Sequence, residues 1–186
     1  MSEKTANAQR PSVPYLDEES LIEECKLAFD LGYRAIIIDD GWQTEDDNRG
    51  YDFTGDWKPE RLNKTKEFVD AVHATGMKVG FWYSVPFCGK KSEAYPKFKD
   101  KLLTDDHRWA PVFDPRYPEV RQYLIDIYKS ALVEWGLDGF KLDFIDDFRF
   151  YPQTKAEKAR QAGLEGLAKI LMKQDNGDPY RAAGRF

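Results

Sequence analysis

The chain has 186 residues, of which 41% are hydrophobic and 15% aromatic, a composition typical of a packed globular protein rather than a disordered one. A net charge of −5 argues against nucleic acid and anionic membrane surfaces as partners. The two cysteines, Cys25 and Cys88, are too few for a disulfide framework and indicate no zinc site, and no other cofactor motif is present.

The first segment, "MSEKTANAQRPSVP", is polar and lacks the apolar region of a secretory signal. We predict a disordered tail over residues 1–14 and a folded domain over residues 15–186. No apolar stretch is long enough to cross a membrane, so we expect a cytoplasmic protein without a membrane partner.

After this tail, a helix, a glycine and an apolar strand follow one another three times. The three units span residues 17–40, 65–84 and 118–144, and each helix ends at a glycine suited to a left-handed cap (Gly32, Gly76 and Gly136). The segments that follow the helices, "YRAIIIDDGW", "MKVGFWYS" and "LDGFKLDF", each contain a short apolar strand, which predicts that both faces of each strand are covered. A weaker fourth helix is predicted over residues 155–173.

This alternation predicts an α/β fold with a parallel sheet. All three strands become polar or aromatic at their C-terminal ends, where (β/α)8 barrels build their sites, and no glycine-rich phosphate loop follows any strand. A complete barrel needs eight strands, whereas only three are evident here. We therefore predict a partial (β/α)8 TIM barrel that contains roughly strands 2 to 4 with their helices, so that residues 15–186 form an incomplete catalytic domain.

Two acidic segments could carry chemistry. "IIIDDGW" ends a strand with Asp39 and Asp40, which suit either the binding of sugar hydroxyls or the capping of the next turn. In "GFKLDF", side-chain alternation predicts that Lys141 and Asp143 point to one face, and Phe140, Leu142 and Phe144 to the other. A cation beside a buried carboxylate favours its ionised form, as the nucleophile of a retaining glycosidase requires.

Three alternatives stay open for this lysine and aspartate. They could form a purely structural ion pair, or Lys141 could form a Schiff base in an aldolase-type barrel, although a lysine beside a carboxylate stays protonated and weakly nucleophilic. The chain could also be a non-catalytic remnant that binds sugars or assembles with another chain. The acidic segment "TEDDNRGYDFTGDWKP" is either a solvated loop or a loop that helps to form the site.

The motifs "IIIDDGW", "TGDW", "GMKVGFW", "RWAPVFDPRYPEVRQYL" and "GFKLDF" occur in the order seen in melibiase-type alpha-galactosidases. Over roughly residues 15–150 the chain thus resembles glycoside hydrolase family 36 and its clan relative, family 27. The resemblance implies a retaining glycosidase that removes terminal alpha-galactosyl residues from galactosides or oligosaccharides. Transglycosylases of the same clan share these motifs.

By position, the resemblance implies that Asp143 is the catalytic nucleophile, which forms a covalent glycosyl intermediate. It also implies that five residues bind the substrate, namely Asp39, Asp40, Trp57, Arg108 and Lys141. The chain departs from the family in three respects: an "NSW"-like first strand is missing, "SVPFCG" stands in place of a Glu-Pro-Glu segment, and the acid/base aspartate would lie beyond Phe186. We therefore expect an inactive isolated chain that either self-associates or receives the missing strands from elsewhere.

Overall fold

A computed structural model of the chain describes residues 17–43, 51–161 and 163. The predicted tail at residues 1–14 lies outside the described residues, as does the first part of the acidic loop at 44–50. The fourth predicted helix begins three residues earlier than expected, at Pro152, and is described as far as Gln161. Its remaining predicted residues, 164–173, also lie outside the described part.

The described elements are five helices and five strands. The helices are α1 (Glu18–Asp30), α2 (Thr65–Ala74), α3 (Ala94–Phe98), α4 (Pro118–Ser130) and α5 (Pro152–Gln161). The strands are β1 (Ala35–Ile38), β2 (Lys78–Ser84), β3 (Leu102–Thr104), β4 (Val112–Phe113) and β5 (Gly139–Asp143). Short 3-10 turns at Tyr51–Phe53 and Ile145–Phe150 and a π-helical turn at Ala131–Trp135 complete the described structure.

Local sequence explains where the main helices begin and end. Asp17 caps α1 by accepting a hydrogen bond from the backbone N–H of Ser20 at 3.2 Å. Pro118 occupies the first turn of α4, where a missing N–H costs little. The π-helical turn that continues α4 ends at Gly136, whose φ of +78° lies in the left-handed region that favours glycine.

The helix–strand alternation forms a three-stranded parallel sheet in the order β1-β2-β5. The predicted α/β class and parallel pairing are therefore confirmed. The register of β2 and β5 places Trp82 opposite Lys141, and Ser84 opposite Asp143. A second, antiparallel pair, β3 and β4, lies between the second and third units in sequence.

The two faces of the parallel sheet have different surroundings. Phe81 and Tyr83 of β2 pack with α2 and α4 in the main hydrophobic core, and Phe140 of β5 contacts Tyr83 on that face. The opposite face carries Trp82, together with its register partner Lys141. Of the two aromatic residues predicted at the end of β2, only Trp82 therefore faces the candidate site.

Two predictions about burial and direction are wrong. Only β2 is covered on both faces, because Ile37 of β1 is 44% exposed and Leu142 of β5 is 42% exposed at the edges of the described sheet. Phe144 lies outside β5 in a left-handed conformation with φ of 58°, so strand alternation does not set its direction. Its ring packs against Trp82, on the same face as Lys141. Within the described ranges, no helix is long and apolar enough to span a bilayer.

Candidate active site

The candidate site is centred on the ammonium group of Lys141, at the C-terminal edge of the parallel sheet. Its Nζ lies 2.7 Å from Oδ2 of Asp39, which directly follows β1, and 3.9 Å from Oδ2 of Asp143, the last residue of β5. The three side chains are between 42% and 58% exposed, so the ion pairs lie at an open surface rather than in a buried core. One cation therefore serves two carboxylates that come from strands at opposite edges of the sheet.

The closer of the two ion pairs favours the charged form of both Asp39 and Lys141. The hydrogen bond from Lys141 lowers the pKa of the Asp39 carboxyl below its ordinary value. The same hydrogen bond raises the pKa of the Lys141 ammonium, and the negative charges of Asp143 and Asp40 add to that effect. A lysine held in its protonated form is a poor nucleophile, which argues against the Schiff-base interpretation.

The carboxylate of Asp143 accepts two further hydrogen bonds. The indole N–H of Trp82 donates to Oδ2 at 3.0 Å, and the backbone N–H of Phe144 donates to Oδ1 at 2.9 Å. Phe144, whose N–H binds the side chain of the preceding Asp143, has a left-handed backbone conformation. Donors thus approach both oxygens, which is the arrangement that an ionised, acceptor-only carboxylate requires.

The adjacent Asp40 takes part in a turn as well as in the charge cluster. Its Oδ1 accepts a hydrogen bond from the side-chain N–H group of Gln43 at 2.8 Å. The side-chain Oε1 of Gln43 in turn accepts a hydrogen bond from the backbone N–H of Gly41 at 3.0 Å. The backbone N–H of Asp40 in turn donates to Oδ1 of Asp39 at 2.8 Å. The turn-capping interpretation therefore agrees with the geometry, while Asp39 pairs with Lys141 and the charge of Asp40 still acts on it.

Trp57 lies behind the site rather than at its open surface. It is only 3% exposed, and its ring contacts Trp42, Tyr83 and Trp82 with centroid separations of 5.9, 4.8 and 5.9 Å. Its φ of 54° is unusual for a bulky residue, and its indole N–H has no hydrogen-bond partner in the described structure. Trp57 therefore supports the ring of Trp82, which in turn contacts Asp143.

Arg108 lies in the segment before β4, beside a second group of charged residues. Its guanidinium carbon is 4.9 Å from the centroid of the Trp109 ring. Burial lowers the pKa of the neighbouring His107 and raises the pKa of Asp147, and the charge of Arg108 acts on both groups. Arg108 is thus placed near Asp147, whereas Asp39 and Asp143 pair with the Lys141 ammonium and Asp40 acts on it through its charge.

Two residues of this site were not among the predicted site residues. Trp82 was identified only as an aromatic residue at the end of its strand, although it donates directly to Asp143. Its position opposite Lys141 in the parallel register is the signal that identifies it. The donor from Phe144 is its backbone N–H, and this residue has a left-handed conformation that the amino-acid sequence does not predict for a phenylalanine.

Comparison with known proteins adds a family match. The family model described as Melibiase matches residues 13–170. Among curated proteins, the chain is 26% identical over 173 residues to alpha-galactosidase AgaA of Geobacillus stearothermophilus, which covers 83% of this chain and 23% of that protein. It is 32% identical over 127 residues to alpha-galactosidase Mel36A of Lactobacillus acidophilus, covering 62% of this chain and 16% of that protein.

A solved structure agrees with these matches. A variant of the family 36 alpha-galactosidase AgaA from Geobacillus stearothermophilus, in complex with stachyose, superimposes with a TM-score of 0.59 at 25% identity. The superposition covers 67% of this chain and 18% of the solved one. The matched part of the chain therefore spans about a quarter or less of the length of these relatives.

Proposed function

Because the chain belongs to the melibiase family, we propose that it carries the nucleophile and much of the galactose-binding surface of a retaining alpha-galactosidase. In this proposal β1, β2 and β5 are roughly strands 2 to 4 of a (β/α)8 barrel, and residues 15–186 belong to its catalytic domain. The proposal rests chiefly on one observation, the placement of Asp39 and Asp143 on either side of the Lys141 ammonium.

Each group has a definite role in the proposed reaction. An ionised Asp143 attacks the anomeric carbon, the bond to the leaving group breaks, and a covalent galactosyl ester forms on the carboxylate. The donors from Trp82 and Phe144 hold the carboxylate in one orientation before the attack. Asp39 and Asp40 accept hydrogen bonds from sugar hydroxyls, and Lys141 donates one while it holds Asp39 in place.

A retaining enzyme also needs a second carboxyl group, about 5–5.5 Å from the nucleophile, to protonate the leaving group. We propose that this acid/base residue comes from a part of the barrel other than the described strands. The chain matches only 23% and 16% of the lengths of the two curated relatives, which agrees with this proposal. Binding of an alpha-galactoside or an oligosaccharide follows from the same proposal, since one relative was solved with stachyose. The cytoplasmic location and self-association stay predictions of the sequence.

A substrate whose leaving group departs without being protonated provides the sharpest test of Asp143 as the nucleophile. The chain is incubated with alpha-galactosyl fluoride, quenched in acid and digested, and the peptides are examined by mass spectrometry. We expect a galactosyl adduct on the peptide that contains Asp143. The adduct should be missing in Asp143→Asn and retained in Asp126→Asn, a matched change of an exposed carboxylate on α4.

Two results would contradict this proposal in different ways. An adduct that persists in Asp143→Asn would remove Asp143 from the role of nucleophile. Rapid hydrolysis of an aryl alpha-galactoside by the isolated chain, lost in Asp143→Asn, would keep the nucleophile but refute the proposal that the acid/base residue has to be supplied from another part of the barrel.

A further inference from the structure

An exposed tryptophan lies close to the candidate site and has no part in the proposed galactose contacts. Trp109 is 41% exposed, whereas Trp42, Trp57 and Trp82 are all buried. Its ring stacks on Tyr51 with an interplanar angle of 29° and a centroid separation of 5.4 Å. Exposure of a single aromatic ring is ordinary by itself, but aromatic side chains beside a few polar groups are the usual lining of small-molecule sites.

A continuous series of contacts links this ring to the nucleophile. Tyr51, on which Trp109 stacks, meets the edge of Trp82 at a centroid separation of 6.5 Å, and the indole N–H of Trp82 donates to Asp143. Tyr51 also contacts Phe144, the residue that follows the nucleophile. Trp109 thus lies two ring contacts away from the group that would attack the anomeric carbon.

The position of Trp109 is fixed by the segment that carries it. Its backbone N–H donates to Nδ1 of His107 at 3.3 Å, and the imidazole of His107 packs on Phe87 with centroids 5.3 Å apart. Nε2 of His107 lies 3.8 Å from a carboxylate oxygen of Asp147, which belongs to the 3-10 turn after β5. The segment that presents Trp109 is therefore attached to the segment that follows the nucleophile, which favours a preformed surface.

We propose that Trp109, supported by Tyr51, binds the sugar ring on the leaving-group side of the bond that is cleaved. The inference rests on the proposed function, because it assumes that the galactosyl unit lies against Asp143. The C–H face of a pyranose packs against an aromatic ring, while its hydroxyls remain in water or meet a donor. The guanidinium carbon of Arg108 lies over part of the Trp109 ring, 4.9 Å from its centroid, so this group supplies such a donor directly beside the exposed part of the ring.

Binding measurements test this proposal without requiring turnover. Affinities for galactose and for melibiose, which adds a glucose ring on the leaving-group side, are measured by calorimetry for the wild type, Trp109→Ala and Trp109→Phe. A single aromatic stacking contact changes affinity by up to about tenfold. We expect Trp109→Ala to weaken melibiose by about this factor and galactose by less than about twofold, and Trp109→Phe to restore most of the loss.

Two controls separate direct contact from general damage to the fold. Tyr33→Ala removes another exposed aromatic side chain, 65% exposed before β1 and therefore at the opposite end of that strand, and should change neither affinity. Trp109 is the most exposed of the five tryptophans, since Trp135 is of intermediate exposure and the other three are buried. Acrylamide quenching of tryptophan fluorescence therefore reports chiefly on whether a ligand covers Trp109. Melibiose should reduce this quenching, and galactose should not.

The outcomes distinguish this inference from the proposed function. If melibiose binds no better than galactose, or if Trp109→Ala weakens both sugars equally, the leaving-group surface is refuted while the galactose site stands. If neither sugar binds the wild type, the proposed function fails, and the inference fails with it.

Discussion

Replacing Gly80 with alanine tests whether the close approach of β2 and β5 sets the geometry of the candidate site. A Cβ at Gly80 would lie 2.9 Å from the backbone carbonyl oxygen of Gly139 and 2.9 Å from Cδ1 of Ile37. The isoleucine methyl group can rotate away, but the carbonyl belongs to the neighbouring strand and cannot. Gly80→Ala should therefore push β2 and β5 apart and disturb the register that places Trp82 opposite Lys141.

The expected size of the effect follows from two opposing contributions. Overpacking a well-packed position costs about 1–3 kcal/mol. Removing a glycine lowers the entropy of the unfolded chain and returns about 0.4–1 kcal/mol when the native backbone is compatible with alanine. We expect Gly80→Ala to lower the free energy of unfolding by about 1–2 kcal/mol, which shifts the urea midpoint by roughly 1 M.

The register partner of Gly80 provides a matched control. A Cβ at Gly139 meets nothing within 4 Å, so Gly139→Ala should leave the free energy of unfolding unchanged or raise it slightly. Urea unfolding followed by circular dichroism compares the two variants, and galactose affinity shows whether the site is disturbed. Equal destabilisation by both substitutions would refute the argument, because the loss could then not come from the short distance at Gly80.

Three further predictions concern ionisation and burial. Lys141→Met should raise the pKa of Asp39, since the lysine hydrogen bond lowers it, and a carboxyl carbon NMR titration would show the shift. At Asp138, burial acts to raise the pKa, but the hydrogen bond from the backbone N–H of Val79 and other partners lower it overall. The ionised Asp138 therefore stabilises the fold above its unfolded pKa of about 4, and this stabilisation is lost as the pH falls below that value. Unfolding measured on both sides of that pH should show a smaller acid loss in Asp138→Asn than in the wild type. Burial raises the pKa of the Cys88 thiol to about 12, so a disulfide reagent should modify it only after denaturation, and rapid labelling of the native chain would contradict its burial.

The sequence identified the elements whose causes are local. The cap at Asp17, the proline that opens α4 and the glycine at 136 each act within one turn, so their effects are visible in a few consecutive residues. The strands β3 and β4 were not predicted, because they contain only three and two residues, too few for a periodic pattern. Their pairing depends on contacts between the segments around Leu102 and Phe113, which the sequence alone does not show.

The directions of side chains in the site were predictable only while the backbone stayed regular. Alternation correctly placed Lys141 and Asp143 on one face, since both belong to β5. It failed one residue later, at Phe144, where a positive φ ends the strand. Burial was overpredicted for Ile37 and Leu142, because an apolar strand sequence does not tell whether the strand lies at an edge of the sheet.

The geometry also explains why a lysine occupies the position two residues before the proposed nucleophile. The stronger contact of Lys141 is with Asp39, which directly follows the opposite edge strand, and not with its neighbour Asp143. The ammonium group thus joins the ends of β1 and β5 across β2, while Trp82 of β2 itself supplies the donor to Asp143. The site takes Trp82 from β2, Lys141 and Asp143 from β5, and Asp39 from the residue after β1, so no single strand segment could reveal it. Lys141 thus holds Asp39 in place, and under the proposed function it thereby orients the galactosyl unit toward Asp143.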